Sequence, residues 1–119
     1  VPDAPPLNAI CLCGASRGRT LIVTGGVHGC EYVGLQALRR LAGELNPARL
    51  SGNVILLPLA NPSAFYAGAK QVVPEDGINL NRAFPGNAKS DSIGSCLPSG
   101  LADRDGVHGH KNDEAYTVS

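Results

Sequence analysis

Residues 20–57 read TLIVTGGVHGCEYVGLQALRRLAGELNPARLSGNVILL, and the order of periods within this stretch decides the fold. Residues 20–24 (TLIVT) are β-branched and apolar, as a strand requires. Gly25 and Gly26 end that run and permit a sharp turn. From about residue 30 to residue 45 the period changes. Gly34, Ala37, Leu38, Leu41, Ala42 and Leu45 recur at three- and four-residue steps, which makes one apolar helical stripe, and Arg39, Arg40 and Glu44 fall off it. Asn46-Pro47 closes the helix, because a residue before proline avoids the α region. Residues 53–57 (NVILL) are short and continuously apolar, the pattern of a buried strand, and Pro58 marks its end. Strand, helix, strand in this order predicts a right-handed crossover between parallel strands. In such sheets ligands sit beyond the carboxyl ends of the strands. His28 and Glu31 follow the first of these strands and Asn61-Pro62 the second.

Upstream, residues 1–7 are proline-rich and irregular, and residues 9–13 read as a strand. GASRGR (residues 14–19) reads as a turn-rich loop, so the strands on either side of it are expected to form a hairpin. Downstream of Pro85-Gly86 the character shifts. Residues 87–119 are rich in Ser, Gly, Asp and Lys and show no helical or strand period. The expected organisation is therefore an α/β domain over residues 1–86 and a divergent polar tail over 87–119.

With 119 residues, 43% of them hydrophobic, the chain is one domain's worth and can bury a core. Ten basic residues balance ten acidic ones, which argues against nucleic acid as a partner, since that requires a basic surface. No apolar run approaches the roughly 18 residues of a membrane span. VPDAPPLNAI has no charged segment followed by an apolar stretch, so no secretory signal is expected. Cys11, Cys13, Cys30 and Cys96 do not form a zinc frame of paired CxxC motifs, and reduced thiols in a cytoplasmic setting are the expectation. Cys11 and Cys13 would share one face of a strand, where core packing and metal binding explain them equally well. Cys30 is expected to be a small buried residue.

Two short motifs carry chemistry. In GGVHGCE, His28 offers an imidazole and Glu31 a carboxylate across a loop-to-helix junction, and both can converge on one zinc ion. The competing reading is a surface His–Glu pair at a helix start. In DGINLNRAFPG, Arg82 offers a planar fork for a carboxylate and Asn81 adds amide donors. Here the competing reading is that Arg82 pairs with Asp76 or Glu75 and only holds the loop.

Taken together, GGVHGCEYVG, GNVILLPLANPSAF and PEDGINLNRAFPG, in that order, resemble the succinylglutamate desuccinylase/aspartoacylase family, relatives of the zinc carboxypeptidases. The resemblance runs from about Leu7 to Gly86. It implies a mixed β-sheet flanked by helices, here incomplete at its C-terminal end. It also implies Zn2+ as cofactor with His28 and Glu31 as metal ligands, and Asn81 and Arg82 as substrate-binding residues. Lys70 is the nearest candidate for the family's upstream basic residue. The implied reaction is hydrolysis of the amide bond of an N-acyl amino acid, with metal-activated water as nucleophile. The expected partner is a small acidic N-acyl amino acid or a peptide C-terminus. The family's third zinc ligand and its general base have no counterpart in the tail, where His108 and His110 are the remaining histidines. Two alternatives therefore stand beside the deacylase: a catalytically inactive zinc-binding fragment, and a carboxypeptidase-like peptidase. An incomplete sheet would also expose an edge that invites self-association.

Overall fold

A computed structural model of the chain describes residues 6–83, 86, 87, 89 and 116–118. Its elements are β1 (Ile10–Cys13), β2 (Ser16–Thr24), α1 (Tyr32–Glu44), a 3-10 turn (Pro47–Arg49), β3 (Ser51–Leu57), α2 (Pro62–Ala67), a second 3-10 turn (Leu80–Arg82) and β4 (Tyr116–Val118). The sheet order is β1-β3-β2-β4. β2 and β3 run parallel, with Leu21 opposite Val54 and Thr24 opposite Leu57. This is the crossover that the strand-helix-strand pattern predicts. β1 pairs antiparallel with β3 and β4 antiparallel with β2, so the sheet is mixed.

The expected hairpin does not form. β3 lies between β1 and β2, and what reads as a six-residue loop is mostly the beginning of β2. The link between them bonds instead to the start of β3 and to the 3-10 turn before it: Gly14 N–H donates to Gly52 O (2.8 Å) and Ala15 N–H to Pro47 O (3.1 Å). The crossing is tight. A Cβ on Gly14 would stand 2.1 Å from Gly52 O, and Gly52 itself has φ +86°. Two residues without side chains therefore let one backbone pass over another, and the register of β2 against β3 shifts between Ser16 and Thr20 to accommodate it.

The stripe on α1 faces the sheet largely as its period predicts. Leu38, Val54 and Leu56 are buried, with Leu12, Val23, Leu41, Ala42, Leu45 and Leu50 packed around them. Ala37 is exposed, at the margin of the stripe. A second cluster joins Val27, Leu57, Ala60, Val73 and Leu80, with Leu7 against it. It gathers at the carboxyl ends of β2 and β3, and Val27 and Leu80 within it directly precede His28 and Asn81 in the chain.

The thiols depart from expectation. Cys11, Cys13 and Cys30 are free and exposed, so Cys30 is not the buried filler expected, and core packing does not account for Cys11 and Cys13. Cys96 lies outside the described residues, as do most of the tail's residues, although Tyr116–Val118 pair with β2. Among the described residues no helix is long and apolar enough to cross a membrane.

Leu56 is fully buried at the centre of the first cluster. Leu56→Ala is expected to lower stability by about 2–5 kcal/mol through lost burial and a residual cavity. Val33→Ala, at a site 83% exposed, is expected to change stability by less than about 0.5 kcal/mol. Urea unfolding of both variants checks the contrast.

Candidate metal and carboxylate site

The site rests on a clasp between the two segments that leave β2 and β3. Gly25 N–H donates to Leu57 O (2.8 Å), Ala60 N–H to Gly25 O (2.8 Å), and Asn61 N–H to Gly26 O (2.9 Å). The parallel ladder thus continues beyond the strands, and residues 25–27 inherit its rigidity. Asn61 is completely buried. Its Oδ1 accepts from Ala64 N–H (3.2 Å) and so caps α2, while its Nδ2 donates to Val27 O (3.2 Å). One side chain therefore starts a helix and fastens the residue before His28. The next residue but one, Gly29, packs backbone to backbone against the end of α2. A Cβ there would come within 2.2 Å of Ala69 O and 2.4 Å of Ala64 O.

This packing leaves His28 and Glu31 on either side of a single turn, closed by Glu31 N–H donating to His28 O (3.2 Å). Their side chains meet, with His28 Nδ1 2.6 Å from Glu31 Oε1. His28 is 12% exposed at its side chain and Glu31 36%, so the imidazole is held in the fold while the carboxylate reaches solvent.

The other ring nitrogen is held from a distant part of the chain. A turn over residues 73–78 brings the chain back: Val73 N–H donates to Ile78 O (2.8 Å), Gly77 N–H to Val73 O (2.8 Å), and Ile78 N–H to Asp76 Oδ1 (2.9 Å). Buried Val73 and Leu80 pin this segment to Val27. Asn79 then caps the 3-10 turn, its Oδ1 accepting from Asn81 N–H (3.0 Å) and lying 3.0 Å from His28 Nε2. The bond from Asn81 fixes which end of the Asn79 carboxamide carries oxygen. Nε2 is therefore the donor to it, and Nδ1 is the nitrogen turned to Glu31.

That arrangement has a chemical consequence. An imidazole nitrogen 2.6 Å from a carboxylate oxygen is at hydrogen-bond distance, and a zinc ion bonded to both at about 2.0–2.2 Å would hold them roughly 3.3 Å apart, so the pair would open slightly to take it. Imidazole nitrogen with carboxylate oxygen is a donor set that suits zinc, and the residues present fit that ion. Among the described residues no third His, Cys, Asp or Glu joins the pair.

The structure thus brings together His28, Glu31 and the Leu80–Arg82 turn. Asn81 is buried, and Arg82 is exposed beside it, its backbone N–H donating to Asn79 O (2.9 Å). Lys70 is exposed, and its backbone carbonyl accepts from the Cys30 thiol (3.5 Å). His108 and His110 lie outside the described residues. Two residues that the motifs did not single out do much of the positioning. Asn61 is signalled by Asn directly before Pro at a helix start. Asn79 is signalled only by its place two residues ahead of Asn81, the spacing of an Asx turn.

The model of the succinylglutamate desuccinylase/aspartoacylase catalytic domain matches residues 17–100. The chain belongs to the succinylglutamate desuccinylase/aspartoacylase family. Residues 17–100 include the clasp, the His–Glu pair and the Asn-Arg turn, and extend past Gly86, where the family's motifs end. The chain is 46% identical over 71 residues to N-alpha-acetyl-L-2,4-diaminobutyric acid deacetylase of Halomonas elongata, which covers 60% of this chain and 20% of that protein. Among solved structures it resembles an aspartoacylase family protein from Mesorhizobium loti (TM-score 0.73, 34% identity), with 83% of this chain and 31% of that one covered. A succinylglutamate desuccinylase/aspartoacylase from Rhodobacter sphaeroides gives TM-score 0.69 and 35% identity over 80% and 28%. A product-bound ectoine utilization protein from Ruegeria pomeroyi gives 0.66 and 32% over 82% and 28%. The family fold is thus present as a mixed α/β sheet, and the chain spans less than a third of the length of these relatives.

Asn61→Ala removes a helix cap and leaves Val27 O and Ala64 N–H without the partners they have now. The expected cost is about 1–3 kcal/mol, read as a lower midpoint in urea, with faster hydrogen exchange at Ala64.

Proposed function

We propose that this chain carries the metal-ligand and carboxylate-binding part of a zinc-dependent hydrolase that deacylates small N-acyl amino acids. The observation that carries this reading is the convergence of His28 Nδ1 and Glu31 Oε1 at 2.6 Å, next to the turn that bears Asn81 and Arg82. His28 and Glu31 would hold the zinc ion. When bound, such an ion polarises a carbonyl and lowers the pKa of a coordinated water toward neutrality.

The chain's own residues supply the rest of what is assigned here. The clasp of residues 25–27 with Ala60 and Asn61 fixes the donors before any ligand arrives, so little ordering is needed on binding. Arg82, exposed at the end of its turn, presents two parallel donors to a substrate carboxylate. Asn81 adds an amide beside it. A substrate gripped there by its carboxylate would present its acyl bond toward the His–Glu pair. The similarity to a deacetylase of an N-acetylated amino acid supports this class of substrate. Soluble, cytoplasmic action on such a metabolite belongs to the same proposal.

The test is zinc binding and turnover by the same protein. Equilibrium dialysis against zinc is expected to show one bound ion, lost or weakened at least tenfold in His28→Ala. Equal retention by that variant would remove His28 from the site. Hydrolysis of N-acetylaspartate, N-succinylglutamate and N-acetyl-2,4-diaminobutyrate is followed by release of the free amino acid. Arg82→Ala is expected to raise KM by about tenfold or more, since a charge-assisted bidentate contact is worth roughly 1.5–3 kcal/mol. Zinc binding without turnover of any N-acyl amino acid would assign the chain as a metal-binding half-site. C-terminal residue release from peptides in preference to N-acyl amino acids would assign it as a carboxypeptidase.

A further inference from the structure

One side-chain oxygen links the two halves of the site. Asn79 Oδ1 lies 3.0 Å from His28 Nε2 and 3.0 Å from Asn81 N, so it accepts from both. His28 and Asn79 are 51 residues apart, and they meet because Leu80 is buried against Val27. We infer that Asn79 is a positioning residue that holds the His28 imidazole with Nδ1 turned to the cation, and ties that orientation to the turn carrying Asn81 and Arg82. This rests on the reading of His28 as a metal ligand.

The chemistry follows from the two ring nitrogens. An imidazole free to rotate or exchange tautomers can offer either nitrogen to a metal. Engaging Nε2–H with a fixed acceptor leaves only Nδ1 available, in the ring orientation that faces Glu31. The acceptor is itself fixed, because Asn81 N–H holds the same oxygen in place. Movement of the Asn81–Arg82 turn would therefore be felt at His28, and the converse.

Three variants separate this role from simple capping of the turn. Asn79→Asp keeps an acceptor at the same reach. Asn79→Ser keeps a good cap, but its hydroxyl is too short to reach the imidazole. Asn79→Ala removes both. In the 119-residue chain, zinc affinity measured by competition with a chromophoric chelator is expected to fall about 10–100-fold in the Ser and Ala variants, and to stay within about threefold of the parent in Asp. Nitrogen-15 spectra of the metal-free proteins provide a readout independent of zinc. A proton on His28 Nε2, protected from solvent exchange, is expected in the parent and Asp variant and absent from the Ser and Ala variants.

If Ser binds zinc as tightly as the parent and keeps the protected proton, capping alone explains Asn79 and the inference is overturned. If the parent binds no zinc, the metal reading fails, and the nitrogen-15 pattern alone decides whether Asn79 orients the ring. Zinc binding that is equal in all four proteins, with the Nε2 proton unchanged, overturns the inference and leaves the metal reading intact.

Discussion

Everything at the site depends on three backbone hydrogen bonds that extend the β2–β3 ladder past the strands: Gly25 N–H to Leu57 O, Ala60 N–H to Gly25 O and Asn61 N–H to Gly26 O. They convert two loop entries into one rigid platform. On the proposed reading of His28 as a metal ligand, that platform supplies the placement to within a fraction of an ångström that such a ligand requires. A loop with only water for company would not hold it. Burying these polar groups requires partners for each, and the buried carboxamide of Asn61 completes the set by donating to Val27 O. The apolar cluster of Val27, Leu57, Ala60, Val73 and Leu80 then seals the underside.

The second constraint is steric. Gly29 meets the backbone of Ala64 and Ala69 where a Cβ would stand about as close as 2.2 Å. That contact sets the path of residues 28–31, and with it the turn that brings the imidazole and the carboxylate together. The same close approach puts Cys30 against Lys70 O. A residue inside the HGCE motif thus points its thiol to the neighbouring loop, away from the partner of His28. The meeting of the motif's two side chains is therefore a consequence of how tightly two loops pack.

Much of this was legible in the sequence where the information is local. The stripe Leu38, Leu41, Ala42, Leu45 has a helical period, and α1 buries it. NVILL has the length and composition of a buried strand, and β3 ends at Leu57, directly before Pro58. The crossover and the site at its carboxyl end followed from the order of these elements. The family's motifs, GGVHGCE and NLNRAFPG, pointed to His28, Glu31, Asn81 and Arg82, and the fold brings their segments together. What failed was non-local. Two strands separated by a short turn-like link ordinarily pair with each other. Here Gly14 and Gly52 let the link cross the start of β3, and nothing in residues 9–24 announces a strand arriving from residues 51–57. Asn79 was missed for the same reason: its partner lies 51 residues away. The exposure of Cys30 depends on packing between loops that share no sequence pattern.

On the proposed reading, His28 Nδ1 and Glu31 are protein ligands of one cation. Zinc K-edge X-ray absorption of the zinc-loaded chain tests it most directly. A first shell of nitrogen and oxygen scatterers at about 2.0–2.2 Å, with the multiple-scattering signature of an imidazole that disappears in His28→Ala, is the predicted result. A shell containing sulfur at about 2.3 Å, or an imidazole signature that persists in that variant, would contradict it.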